Sequence, residues 1–219
     1  MLNEIRIIGD VHGDAYLHRR LKENAVRSIQ IGDMGVGFGL NHCFEFLPDK
    51  DFFFNGNHDN PDECKTFKSF LGTCGSSRAE KLFWCGGGYS IDWAYRIPGV
   101  SWWENEELPV SELEEVIDQY IDFKPDIMLS HEAPDFLGPL MLQRGGGLPG
   151  APYRPSRTAL ALQAMYEAHQ PKIWLYGHWH MDFEFQAPVT KFLCVNQNQS
   201  IDLNVETCQA GSRVSLRQI

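Results

Sequence analysis

Five times along this chain a short apolar run breaks off at a small or turn-forming residue and passes directly into Asp, Asn or His. The five stretches are IIGDVHGD (7–14), IQIGDMG (29–35), FFFNGNHDN (52–60), IMLSHEAP (127–134) and IWLYGHWH (173–180). Apolar runs this short, rich in β-branched and aromatic residues and closed by turn formers, suit strands buried on both faces rather than helices. Strand after strand therefore ends in the same polar grammar. In open α/β sheets the loops beyond the carboxyl ends of the strands surround the ligand crevice, so these ends are expected to converge.

Segments with helical spacing lie between the runs. Ala15–Ala25 sets Leu17, Leu21 and Ala25 four apart, and Pro61–Leu71 opens with Asn60 as a candidate N-cap and Pro61 at the first helical position. Ser111–Ile121 begins with a capping-box pattern, and Ser156–His169 is the last candidate helix. Strands alternating with helices predict an α/β fold. From Leu82 to Val100 and from Phe183 to Leu216 strand-like pieces alternate with turns alone, which predicts antiparallel additions to the sheets. No internal repeat or linker-like tract divides the chain, so one domain over 1–219 is expected. Gly138–Pro155 packs Gly and Pro too densely for regular structure and reads as a candidate lid.

The strand ends offer two carboxylates (Asp10, Asp33), one amide (Asn57) and the imidazoles of His12, His131, His178 and His180. Asp10 and His12, like His178 and His180, stand two apart, and on extended backbone they would face one side. Mixed oxygen and imidazole ligation suits a pair of borderline divalent cations, with Mn preferred and Fe or Zn as alternatives, over Ca or Mg. Such a pair, sharing a bridging carboxylate, suits phosphoryl displacement. Glycine beside the ligands permits the tight turns that aim them inward.

In this order, GDVHG, GDMG, GNHD, SHEAP and GHWH resemble the five blocks of the calcineurin-like metallophosphoesterase superfamily, over residues 9–180. The resemblance implies two stacked mixed β-sheets flanked by α-helices. It implies that Asp10, His12 and His180 hold a first metal ion, that Asp33 bridges, and that Asn57, His131 and His178 hold a second. His58 matches the position that contacts the substrate phosphate and protonates the leaving group after in-line attack by a bridging hydroxide. Asp59, its neighbour, is a candidate to orient it. The second and third blocks, GDMGVGFG and GNHDNPDE, lack the further Asp and the arginines of the protein serine/threonine phosphatase pattern. An arginine that grips phosphate is expected on physical grounds, and Arg144, Arg154 and Arg157, in or beside the glycine-rich loop, are the candidates.

The implied activity is metal-dependent hydrolysis of phosphate esters, monoesters favoured, on a phosphorylated small molecule, nucleotide or phosphoprotein. The alternatives are a phosphodiesterase or nuclease acting on nucleotides or nucleic-acid ends and, from a different class, a catalytically silent binding scaffold of the same fold. Competent residues at all eight positions favour an enzyme. With 19 Lys and Arg against 29 Asp and Glu, the net charge of −10 predicts no broad nucleic-acid-binding surface. No apolar stretch reaches the roughly 20 residues of a membrane span, and MLNEIRIIGD carries no basic-then-apolar leader. The six cysteines form no C-x-x-C pair and read as reduced thiols, so a cytoplasmic protein without membrane attachment is expected. Glu104–Glu107 and Glu112–Glu115 read as solvated faces. The tryptophans are expected in core or edge packing, with Trp103 and Trp179 as possible cleft walls.

Overall fold

A computed structural model describes residues 3–39, 41–146 and 153–216. Two mixed sheets stack face to face. The first contains β1 (Glu4–Ile8), β2 (Ser28–Ile31), β3 (Asp51–Phe54), β10 (Gln199–Asn204) and β11 (Gln209–Ser215), in the order β11-β10-β1-β2-β3. The second contains β4 (Cys74–Ser77), β5 (Leu82–Cys85), β6 (Ile127–Ser130), β7 (Ile173–Tyr176), β8 (Phe183–Gln186) and β9 (Lys191–Cys194), in the order β4-β5-β6-β7-β9-β8. The parallel registers Ile7↔Ile29 and Ile29↔Phe52 in one sheet, and Met128↔Trp174 and Trp174↔Phe192 in the other, carry the centre of each.

Alternation along the strands explains the layers. Ile5, Ile7, Ile29 and Ile31 of the first sheet meet Ile127, Leu129, Ile173 and Leu175 of the second in a shared apolar core. The intervening Met128, Trp174 and Tyr176 face outward. They are covered by Val116 and Tyr120 of α3 (Val110–Phe123), Met141 of α4 (Leu137–Gln143), and Leu162 and Met165 of α5 (Arg157–Ala168). On the other outer face, Phe53 packs with Leu17 and Leu21 of α1 (Ala15–Leu21) and Cys64 of α2 (Pro61–Cys64). Burial on both faces is why the strands read as continuous apolar runs. No helix among the described residues is long and apolar enough to cross a membrane.

Three differences from the sequence reading have physical causes. The helix expected to reach Leu71 stops at Cys64, because the edge strand β3 claims the following backbone: Phe53 N–H donates to Ser69 O at 3.1 Å and Leu71 N–H to Phe53 O at 2.9 Å. The first part of the Gly138–Pro155 stretch is helical as α4, with Pro139 in the first turn, where no N–H donor is needed, and Leu137 and Met141 buried on the sheet. Residues 147–152 of that candidate lid lie outside the described residues. The expected strand-only stretch after Leu82 holds a parallel strand, since β5 pairs with β6, and a single 3₁₀ turn at Trp93–Tyr95.

The parallel strands β1, β2, β3, β6 and β7 all end at one edge of the two sheets. Their loops are tied to one another by backbone bonds, His12 N–H to Asp33 O at 2.9 Å and Gly177 N–H to His131 O at 3.0 Å among them.

Candidate metal centre

At that edge the seven predicted ligands come together as two overlapping groups. Asp10, His12, Asp33 and His180 offer ligand atoms that all lie within 4.8 Å of one another, and so do Asp33, His131 and His178. In the first group His180 Nε2 lies 2.9 Å from both Asp10 Oδ2 and His12 Nε2, while Asp33 Oδ2 stands 3.8 Å from His12 Nε2. Asp33 turns its other oxygen to the second group, with Oδ1 3.2 Å from His131 Nε2. One carboxylate thus faces both centres. Asn57 Oδ1 completes the second, 3.0 Å from His131 Nε2 and 2.9 Å from His178 Nδ1.

Backbone strain, not strand alternation, aims these groups. His12, Asp33, His178 and His180 have φ of 46°, 53°, 66° and 47°, in the left-handed region. For residues other than glycine this costs on the order of 1–3 kcal/mol each, and such strain collects at functional sites. Neighbouring glycines clear the space: a Cβ on Gly177 would lie 2.5 Å from Asp10 Oδ1, and one on Gly32 would run into the His131 ring.

The inventory of polar atoms calls for a proton or a cation among them. His131 Nδ1 donates to the Ile31 carbonyl at 3.0 Å, which leaves Nε2 to carry a proton or meet a cation, aimed at Asp33 Oδ1 and Asn57 Oδ1. His178 Nε2 faces Glu132 Oε2 at 3.3 Å, which leaves Nδ1 aimed at the same amide oxygen. Acceptors buried against acceptors are unfavourable unless a proton or a metal ion lies among them. The titration behaviour follows. Burial pushes His131 down, but Asp33 facing it raises it to about 10. Burial pushes Asp33 up, yet the His131 and His58 imidazoles hold it well below the usual carboxylate range. Asp10 is likewise held low, against its burial, by His180 and His131. The donor set fits two borderline divalent cations.

The side chains that orient these candidate ligands come from elsewhere. Asn57 Nδ2 donates to Ser90 Oγ at 3.0 Å, and Ser90 donates its hydroxyl to Glu106 Oε2 at 2.6 Å and its backbone N–H to Glu106 Oε1 at 2.9 Å. This chain fixes the amide so that its oxygen, not its NH₂, faces the imidazoles. Glu106 and Glu107, expected in a solvated face, are buried for this reason: Glu106 holds Ser90, and Glu107 Oε1 accepts the Thr158 N–H at the start of α5. Glu132 also accepts from Trp179 Nε1 at 2.7 Å. Ser90 and Glu106 carry no motif. Their only signal in the sequence is a buried-type partner requirement that tertiary contact creates.

His58 lies beside the first group, its ring 4.7 Å from that of His12, and its backbone N–H donates to Asp33 Oδ1 at 2.8 Å. Asp59 does not orient it. The Asp59 carboxylate instead accepts the N–H groups of Met34, Gly35, Val36 and Gly56 and staples the Asp33 loop to the Asn57 loop. The partner of His58 is Arg96, with Nη2 2.7 Å from Nε2 and Nη1 3.2 Å from Nδ1. Both open onto a cavity of ≈ 450 Å³ that also touches Asp33, Asn57, His178 and His180. Of the three arginines chosen from sequence, Arg154 lines this cavity; Arg144 lies 5.1 Å above the Phe183 ring, and Arg157 is 3.6 Å from Glu107. Trp179 walls the cavity, whereas Trp103 is buried against Phe38.

Two stacked mixed sheets flanked by helices, of five and six strands, have the calcineurin-like metallophosphoesterase fold. The sequence itself matches no protein-family model and no curated protein. Among solved structures the chain is similar to a Staphylococcus aureus protein named as a 5′-nucleotidase, with 15% identity over 97% of this chain and 52% of that one, at a TM-score of 0.50. It is similar to GAP50, the anchor in the inner membrane complex of Plasmodium, at 9% identity, 97% and 88% coverage and a TM-score of 0.52. A third is phosphopantetheinyl hydrolase from Mycobacterium tuberculosis, at 11% identity, 89% coverage of each chain and a TM-score of 0.48.

Proposed function

We propose that the protein is a hydrolase of phosphate esters that uses two divalent metal ions, Mn first among them, with monoesters as preferred substrates. The fold alone does not choose between enzyme and scaffold, since one neighbour is named as a nucleotidase and another as an anchor. The observation that favours the enzyme is the set of buried acceptors facing one another around Asp33, beside a cavity that His58 and Arg96 enter. A cavity of ≈ 450 Å³ suits a small phosphorylated molecule.

In this reading Asp10, His12 and His180 hold one ion, Asn57, His131 and His178 the other, and Asp33 both. When bound, such ions neutralise phosphate oxygens and make hydroxide available near neutral pH. Glu132 and the Ser90–Glu106 pair keep His178 and Asn57 in ligating orientation. His58 holds the proton destined for the leaving oxygen. Burial, reinforced by His12 and Arg96 against the pull of Asp33, holds its imidazole down at about 4. A phosphoryl dianion in the cavity supplies the charge that favours its protonated form.

The test is a substrate panel on Mn-loaded protein, comparing a monoester, a diester, a 2′,3′-cyclic phosphate and a phosphopeptide. Monoester turnover that disappears with chelation is expected. Turnover of none of the four by protein shown to hold two ions would establish the scaffold reading instead.

A further inference from the structure

Arg96 lies outside every motif, just past the 3₁₀ turn Trp93–Tyr95 in the segment joining β5 to α3. Its side chain is 12% exposed. Asp92 grips it from behind, accepting from Nε at 2.7 Å and from Nη2 at 2.9 Å, and the Ser101 carbonyl accepts from Nη1 at 3.1 Å. A guanidinium has five N–H groups, and three are satisfied by the protein in this way. The remaining two, one on each Nη, point at the two ring nitrogens of His58.

That contact cannot satisfy both. An imidazole offers one lone pair when neutral and none when protonated. In either state at least one N–H of this part-buried guanidinium is aimed at the cavity edge without an acceptor in the protein, an arrangement that a ligand acceptor would improve. The turn that carries Arg96 is itself built: Ser101 Oγ accepts the Ile97 N–H at 3.0 Å, the Trp102 carbonyl accepts the Gly99 N–H at 2.8 Å, and Glu106 pins Ser90 at its base. A positioned planar fork with free N–H groups beside a cation centre matches the geometry of phosphoryl oxygens.

We propose that Arg96, held by Asp92, anchors the non-bridging oxygens of the substrate phosphoryl group between itself and His58. The proposal rests on the phosphoester reading of the same cavity. It makes Arg96, rather than the glycine-rich-loop arginines, the residue that sets affinity for the phosphoryl group.

The experiment uses Mn-loaded protein, with inorganic phosphate as probe, measured by calorimetry and as competitive inhibition of monoester turnover. Arg96→Ala and Arg96→Gln are compared with wild type, Arg96→Lys and Tyr95→Ala, whose side chain is exposed on the same turn. Loss of one or two hydrogen bonds to a charged group predicts phosphate binding weakened about 10- to 100-fold, with KM raised in parallel. Metal content and melting temperature should match wild type, lysine should restore part of the loss, and Tyr95→Ala should bind phosphate normally. Wild-type phosphate affinity in a folded, metal-loaded Arg96→Gln protein would overturn the proposal, as would a loss that appears equally in Tyr95→Ala. If wild type turns over no ester, the hydrolase reading fails, while phosphate calorimetry still decides the role of Arg96.

Discussion

Replacing Ser90 by Ala should cost the protein one metal ion and leave the other. The hydroxyl of Ser90 stands between the Asn57 amide and Glu106, at 3.0 Å and 2.6 Å. Asn57 is 2% exposed, so without that acceptor its NH₂ group is left unpaired in the interior, a penalty of about 1–3 kcal/mol. The amide can escape it by turning over, which points NH₂ at His178 Nδ1, the lone-pair nitrogen in the tautomer set by Glu132. The flipped amide gains that acceptor, and the proposed second metal position loses its amide oxygen. Outer partners of metal ligands are typically worth about 10- to 100-fold in affinity, or roughly 1.4–2.8 kcal/mol. Calorimetric titration of metal-free protein with Mn²⁺ should therefore show two sites in wild type. In Ser90→Ala one site should be unchanged and one weakened by that factor. Two unchanged sites would mean that the Ser90–Glu106 pair does not orient Asn57, and weakening of both alike would indicate general damage instead.

Other expectations follow from the same geometry. His58→Gln, which removes the proton carrier without touching a ligand, should lower monoester turnover by about 10²–10⁴-fold at full metal content; unchanged turnover would assign the proton to another group. In the metal-free protein the folded His131, at about 10, lies above its ordinary value of 6.5, so its proton-linked stability is complete below about pH 6.5 and is lost as pH rises through about 10. Urea midpoints of metal-free protein should accordingly fall between pH 7 and 9.5, and Mn²⁺ binding, which displaces that proton, should tighten over the same interval. A midpoint that rises would show that another group dominates. Gly177→Ala places a Cβ 2.5 Å from Asp10 Oδ1, and overpacking of this kind costs about 1–3 kcal/mol. A lowered melting temperature with weakened metal binding is expected, and neither change would mean that the loop relaxes freely.

The strands and the polar residues gathered at their ends were legible in the sequence for one reason. Both faces of the central strands are buried, so each run is apolar throughout, and the first polar residue after it marks the sheet edge where the site lies. The apolar openings of IQIGDMG and IWLYGHWH are the strands Ser28–Ile31, which begins one residue earlier, and Ile173–Tyr176. What lay hidden depends on partners distant in sequence. Helix α2 ends early because β3 competes for its continuation, and α4 forms under Gly and Pro because Pro139 falls in its first turn. Glu106 reads as one of several surface acids until Ser90 is brought to it, and Arg96 reads as a loop arginine until the 3₁₀ turn carries it to His58. The spacing of Asp10 with His12 and of His178 with His180 pointed to residues that the structure gathers, but left-handed backbone rather than alternation aims them.

The paired cation centre is tested most directly by anomalous diffraction from crystals of the protein grown with Mn²⁺. Two peaks about 3.5–4 Å apart are expected, one beside Asp10, His12 and His180, the other beside Asn57, His131 and His178, with the Asp33 carboxylate between them. No peak at this edge of the sheets, or a single one that leaves Asn57 and His131 without a metal, would contradict it.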